Sequence, residues 1–407
     1  MDHPGFHRYT PFQVRRLLER LREGLYDPLA VQLLTAEHDP LDARLQQEIL
    51  RAESAGHLCI CGAYGQGKSH TLAYIQAQAL EQGYVVSTVN LDAREVPLHQ
   101  FRHTYRALLQ GLTLPPQDSV TPASFLDMWR AWARTQPRRA VDPAESLLAL
   151  LPPAMPHPFK AILVATVLPT VTLPTGLRRL ARYRDFTPVE FRWSLQRALL
   201  GEQVPVARLR AALKYRQVSF YRQGSLALSG DEPFILMVQA LPALFCRMGY
   251  AGWVLLFDEG EAMLQGSRPM RARGYRTLHR LVFPATPSPG FHPVFAFTPE
   301  FFQRLSEEDY SLPPFERNYA DALRSLSVYH LRGLSRPAWH ALCATLITLH
   351  AAAYRWPAQP EALLPVLTSR LQNLPLQDPR TTLKGLVDEL DQAQQQTFFA
   401  QQVRDRA

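Results

Sequence analysis

The chain has 407 residues, a formal charge of +8, 46% apolar residues and 20% charged ones. That length allows roughly two to four domains with a sizeable core, and the balance excludes a wholly disordered chain. Four cysteines, Cys59, Cys61, Cys246 and Cys343, form no C-x-x-C pair, which excludes a disulfide scaffold and a cysteine-based zinc site.

Met1-Asp2-His3-Pro4 lacks a basic segment followed by an apolar one, so no signal peptide is expected. The longest apolar run, 161–173, is broken by Pro169 and is too short to span a bilayer. The expectation is a cytoplasmic protein with reduced thiols and no membrane partner.

Residues 11–34 read as an amphipathic helix. Thr10 suits its cap, Pro11 its first turn, and Phe12, Leu17, Leu18, Leu21 and Leu25 its apolar stripe. A second helix is expected over 41–55. The pattern then changes: His57-Leu58-Cys59-Ile60-Cys61 is a short apolar run ending at glycine, the mark of a buried strand. A helix over 69–82 and a valine-rich strand over 84–90 follow. Residues 92–252 show no β-α alternation and read as a helical insertion broken by prolines. Strand signals return at 253–257, 294–298 and 327–331, and the chain beyond 334 reads as helical.

Forty of the 44 basic residues are arginines. The stretch 176–222 holds eleven Lys/Arg against three Asp/Glu, an excess as large as that of the whole chain. Arg178, Arg179, Arg182 and Arg184 lie near its start, and Tyr183, Phe186, Trp193, Tyr215 and Tyr221 are interleaved with it. Such a segment is either a surface for phosphate backbone or an acidic partner, or a solvated helical face.

The chemistry lies elsewhere. Gly62-Ala63-Tyr64-Gly65-Gln66-Gly67-Lys68-Ser69 fits G-x-x-x-x-G-K-[ST], after a predicted strand and before a predicted helix. The glycines let successive N–H groups turn toward one anion, and the helix N-terminus faces it. Lys68 is expected at the β- and γ-phosphates of ATP, and the Ser69 hydroxyl on Mg²⁺. Val254-Leu255-Leu256-Phe257-Asp258-Glu259 is an apolar strand ending in two carboxylates, a Walker B pattern. Asp258 suits Mg²⁺, and Glu259 suits the attacking water. Glu261 reads as a helix-start acid. Thr298 ends the next strand, where a hydroxyl can sense the γ-phosphate. Arg304, Arg317, Arg324 and Arg332 are candidates for a transition-state cation from a neighbouring subunit, with Arg317 preferred for its helix-length distance from that strand. Arg380 opens a late amphipathic helix and can reach the γ-phosphate from a lid.

These motifs resemble the ATP-binding proteins of BREX phage-defence systems. The similarity lies in the opening Gln13-Val14-Arg15-Arg16-Leu17-Leu18-Glu19-Arg20-Leu21-Arg22-Glu23-Gly24 and in the tyrosine-containing loop that ends Lys68-Ser69-His70. It continues in Asp258-Glu259-Gly260-Glu261, Leu331-Arg332-Gly333-Leu334-Ser335 and Pro379-Arg380. Ser69 stands where threonine is common, and Arg332 where proline is usual. The resemblance implies an α/β fold: an AAA+-type P-loop NTPase core with a parallel sheet, a large helical insertion and a C-terminal helical lid domain. Tyr64, Gln66 and His70 join the nucleotide-binding set on the same basis. The implied function is an ATP hydrolase acting on DNA or beside a DNA-acting partner such as a helicase, as a homo-oligomer.

The expected domains are 1–56, an N-terminal helical segment; 57–91 with 253–334, the ATPase core; 92–252, the insertion; and 335–407, the lid. An alternative is a slow-turnover ATP switch or scaffold that recruits a helicase or nuclease. A small-molecule kinase explains neither the Asp258-Glu259 pair nor the helical additions.

Overall fold

The computed structural model describes residues 9–25, 27–51, 54–116, 122, 124–137, 142–168, 188–376 and 378–404. Its centre is a six-stranded sheet: β1 (Leu58–Cys61), β2 (Val85–Asn90), β3 (Leu112–Thr113), β4 (Trp253–Asp258), β5 (Phe291–Phe297) and β6 (Val328–His330). The order is β3-β2-β4-β5-β1-β6. Every pair is parallel except β2 with β3. The register sets Ile60 beside Ala296 and Tyr329, and Leu256 beside Val294.

The central strands are apolar runs because both faces of the sheet are covered. Cys59, Val85, Leu255, Phe257 and Phe295 face a core shared with the helices Phe101–Gln110, Glu232–Arg247 and Arg268–Val282. Leu58, Ile60, Val86, Val254 and Leu256 face Leu72, Ile75 and Ala79 of the helix Lys68–Glu81. In a parallel sheet the strand ends lie on one side. The chain after Cys61, Asp258, Phe297 and His330 therefore leaves the sheet along one rim, where ligands settle in open α/β folds.

The 92–252 region is built mainly of helices. One of them, His157–Val167, is buried on all sides, which accounts for the long apolar run. The region also contains β3, a strand of two residues that leaves no periodic signal in the sequence. The chain turns at Gly111 and lays two residues against Val86 and Ser87. In the basic stretch, Arg178, Arg179, Tyr183, Arg182, Arg184 and Phe186 lie outside the described residues. Of its remaining aromatics, Tyr221 is buried, Tyr215 stacks on Phe191 with ring centroids 4.7 Å apart, and Trp193 is exposed.

The expected helix over 11–34 is two helices, Pro11–Arg22 and Pro28–Leu34. Gly24 takes a left-handed φ of 70°, and the 1%-exposed Asp27 caps the second helix through the Leu29 N–H at 2.9 Å. Pro28 restarts the helix at its first position. Thr10 and Gln13 close a capping box on the first helix.

That first helix packs against the far end of the chain. Val14, Leu17, Leu18 and Leu21 share a core with Leu342, Leu346, Leu386 and Val387. Arg22 bridges to Asp391 with Nε and Nη2 each 2.9 Å from a carboxylate oxygen. The indole N–H of Trp356 donates to His350 Nδ1 at 2.9 Å, so the Nε2–H of the buried His350 is left to donate to Asp391 at 3.0 Å. Among the described residues no helix is long and apolar enough to cross a membrane.

Leu17 is fully buried. Leu17→Ala is expected to cost about 2–5 kcal/mol of stability, the range for a buried leucine truncation. Urea unfolding checks this, and a change below about 1 kcal/mol would mean the N-terminal helix is only loosely held.

Candidate nucleotide-binding site

The 62–69 loop joins β1 to the helix Lys68–Glu81. Gly65 and Gly67 have φ of 84° and 96°, values that favour glycine. A Cβ at Gly67 would meet open space, whereas one at Gly65 would run into the carboxylate of Asp378. The Gln66 side chain accepts the Ala63 N–H at 2.6 Å and helps set the loop's curvature.

Lys68 is only 7% exposed. Its Nζ donates to the Gly62 carbonyl at 3.2 Å and lies 3.7 Å from Glu261 Oε1. An ammonium group has three N–H donors, so donor capacity remains on a cation turned into the cavity. That arrangement fits a phosphate. The cavity itself is about 900 Å³ and is lined by the loop from Tyr64 to His70, by Glu259, and by Arg332 and Arg380. This is large enough for a nucleotide.

Glu259 follows the half-buried Asp258 at the end of β4. It holds φ 54° and ψ 41°, rare for a residue with a side chain, and its N–H donates to Asp258 Oδ1 at 2.9 Å. Strained backbone of this kind clusters at functional positions. Glu261 sits in the following 3-10 turn, and its Oε2 has no hydrogen-bond partner among the described residues. Burial pushes the Glu261 carboxyl above the ordinary glutamate range. The Glu259 charge adds to this, and Lys68 pulls the other way. The Thr298 side chain and Lys68 hold Glu300 below that range.

The structure brings Gly62, Tyr64, Gly65, Gln66, Gly67, Lys68, Ser69, Glu259 and Arg380 to one end of the sheet, with Asp258 and Thr298 at adjacent strand ends. His70 lines the same cavity, but its Nε2 is 2.9 Å from the Thr35 hydroxyl, and burial pushes its pKa down to about 4. Its ring is therefore neutral and tied to the N-terminal segment. The Arg380 guanidinium lies 4.6 Å from the ring centroid of Tyr64, a residue 73% exposed. Arg317 is exposed and lies near His279, outside the cavity of its own chain.

Several wall residues were not read from the sequence. Thr35, His38 and Tyr74 line the cavity, and the Tyr74 hydroxyl donates to Asp42 at 2.8 Å. Arg332, a candidate transition-state cation and part of the Leu331–Ser335 landmark, is a wall residue of the same cavity. No motif marks the other three: Thr35 and His38 lie in the 35–38 connection that the fold brings to the loop, and Tyr74 is one position on the helix Lys68–Glu81 with nothing in its neighbourhood to single it out.

A parallel-dominated α/β sheet with a buried lysine, a glycine-lined loop and a nucleotide-sized cavity defines a chain suited to binding a phosphorylated nucleotide. The family model described as "BREX system ATP-binding protein BrxC/D" matches residues 11–142 and 229–404, and the chain belongs to that family. Among curated proteins none matches the chain.

The raised Glu261 carboxyl has a consequence for stability. The folded state holds this proton more tightly than the unfolded state. Its contribution is therefore complete below the ordinary glutamate pKa and is lost as pH rises through the raised one. Glu261→Gln is expected to flatten that part of the stability–pH curve, read as urea midpoints between about pH 4 and pH 7. A variant curve parallel to wild type would show that Glu261 titrates normally.

Proposed function

We propose that this ATP-binding protein is an AAA+-type P-loop ATPase that hydrolyses ATP with Mg²⁺ to drive or gate a DNA-associated complex in anti-phage defence. The observation that supports this best is the buried Lys68 facing the same cavity as Glu259. A cation for the terminal phosphates and a carboxylate for water then meet at one place. The separation of β1 and β4 by β5 is consistent with this reading, because it puts Thr298 between the loop and the Asp258-Glu259 pair.

In this reading the backbone N–H groups of 62–69 bind the phosphates. Ser69 and Asp258 are the residues suited to hold Mg²⁺, which supplies charge neutralisation at the β- and γ-phosphates. Glu259 orients water and takes its proton, and Thr298 positions that water or the γ-phosphate. Arg380 reaches in from the helical lid, proposed as 335–407. Arg317, exposed and outside the cavity of its own chain, is the proposed cation for a neighbouring copy in a homo-oligomer. DNA, or a DNA-acting partner such as a helicase, is the proposed object of the cycle, in the cytoplasm.

Lys68→Ala is expected to weaken ATP binding by at least an order of magnitude, since it removes a buried charge-assisted contact. Calorimetry measures this, and wild-type affinity in the variant would remove the loop from the site.

Glu259→Gln keeps the size of the side chain but cannot accept the proton. The expected result is intact ATP binding and turnover lower by about 10²–10⁴-fold. Steady-state phosphate release with and without DNA provides the readout. Unchanged turnover would shift the base to another residue, with Glu261 next.

A further inference from the structure

A second polar cavity lies within the helical region, away from the sheet. It measures about 530 Å³ and is lined by Arg130, Arg134, Arg192 and Arg216 with the chain at 166–168. The four arginines come from three places. Arg130 and Arg134 stand one helical turn apart on Phe125–Thr135, Arg192 is on Pro188–Leu199, and Arg216 follows Val206–Tyr215. The family match ends at 142 and resumes at 229, so Arg192 and Arg216 lie between the two matched stretches.

Two of the four have a structural reason to be there. Arg216 Nη1 donates to the Leu168 carbonyl at 2.8 Å, and Arg130 Nε to the Thr166 carbonyl at 3.3 Å. Both close the C-terminal end of the helix His157–Val167, where carbonyls lack partners and the helix dipole favours cations. Capping does not account for the rest. Arg216 is only 9% exposed, yet its Nε has no hydrogen-bond partner among the described residues. Arg134 and Arg192 are exposed and have no ion-pair partner among the described residues. Among the described residues the Asp127 carboxylate, half in solvent, lies 3.8 Å from Arg130 Nη1. Burial first, and then the neighbouring guanidinium groups, push Arg130 and Arg216 below the usual arginine range. Four like charges around one hollow, with one loose carboxylate paired to them among the described residues, repel one another unless an anion joins them.

We propose that this hollow is an anion site for a run of phosphoryl groups, carried either by a nucleic-acid strand or by a small polyphosphorylated molecule. Guanidinium forks match phosphoryl oxygens in pairs, and every cation here is an arginine. A single carboxylate would leave most of the charge uncompensated, whereas consecutive phosphates offset it. The Nε–H of Arg216 supplies a fixed, desolvated donor at the floor of the site. Arg134 and Arg192 are the outer pair that closes on the ligand. The inference stands apart from the ATP site and does not depend on hydrolysis.

The test uses the full chain with Lys68→Ala, so that the nucleotide cavity does not take up the probe. Inorganic pyrophosphate and a short single-stranded oligonucleotide are titrated into that protein and into one that also carries Arg134→Gln and Arg192→Gln. Both arginines are exposed, so folding should be retained, which a matching thermal midpoint verifies. Loss of two charge-assisted contacts predicts affinity lower by roughly 100-fold. Weakened pyrophosphate binding supports a small polyphosphate ligand. Weakened oligonucleotide binding alone, with a salt slope shallower by about 0.7 per lost contact, supports a strand. The proposal is overturned if neither probe binds the intact pocket, or if the double variant binds both as tightly. The part of ATP binding that is lost on Lys68→Ala is expected to be the same with and without the arginine changes, which keeps a failure here separate from a failure at the ATP site.

Discussion

A lysine ammonium that is 7% exposed has to be surrounded by acceptors, and much of this fold can be understood as the means of supplying them to Lys68. The first acceptor is the Gly62 carbonyl at the end of β1, and the second is Glu261 just beyond β4. These two strands are not neighbours, since β5 lies between them. The parallel arrangement nevertheless brings all three strand ends to one rim, so groups nearly two hundred residues apart meet around one cation. The cost appears at Glu261, whose carboxyl is raised by the burial that its pairing with Lys68 requires. It appears again at Glu259, whose backbone is held left-handed where a glycine would be easier. Both costs fall beside Lys68: Glu259 lines the same cavity, and Glu261 lies 3.7 Å from the Lys68 ammonium, as expected where local rules yield to function.

What could be read from the sequence follows from how local each signal is. β1, β2 and β4 are apolar runs bounded by glycine or acids, and the 62–69 loop carries its chemistry in eight consecutive residues. Those features need no knowledge of distant contacts. The break between Pro11–Arg22 and Pro28–Leu34 was also local, written as Gly24, Asp27 and Pro28, but the apolar stripe ran through it and hid it. β3 could not be seen, because two residues have no period. The union of the first helix with the C-terminal helices was equally hidden. Arg22 and Asp391 are 369 positions apart, and nothing in either neighbourhood names the other.

The same reasoning separates the arginines. With forty in the chain, abundance carries no information, and only the fold distinguishes one from another. Arg380 lies over Tyr64, Arg317 is exposed beside His279, and Arg130, Arg134, Arg192 and Arg216 enclose one hollow. Of these six, the sequence singles out two by position: Arg380 at a helix start, and Arg317 a helix length beyond the strand that ends at Thr298. The net charge of 176–222 pointed toward the hollow without resolving it, because Arg130 and Arg134 come from an earlier helix.

The seam between the glycine loop and the C-terminal helices differs from the interior of the bundle. Inside the bundle, Leu17, Leu346, Leu386 and Val387 are fully buried and Asp391 is held by both Arg22 and His350. At the seam Arg380 lies over Tyr64 and Asp378 against Gly65, and beside it the Ser335 N–H donates to Glu37 of the N-terminal segment at 2.9 Å. An exposed cation–π pair contributes about 0.5–1 kcal/mol and a hydrogen bond about 0.5–1.5 kcal/mol. A ligand bound at micromolar affinity brings about 8 kcal/mol. Only the part of that energy that differs between two arrangements can shift them, but even a fraction exceeds what those polar contacts hold. Truncating one buried leucine of the bundle costs about as much as those contacts together. The helix Pro28–Leu34 adds apolar contact beside this seam, with Val31 in the core under the sheet and Leu29, Ala30 and Leu34 in the bundle. Arg380 and Asp378 sit at the start of the helix Pro379–Arg404, which also carries Leu386, Val387 and Asp391. Any displacement at Tyr64 and Gly65 therefore passes directly into the element that ties the two ends of the chain together.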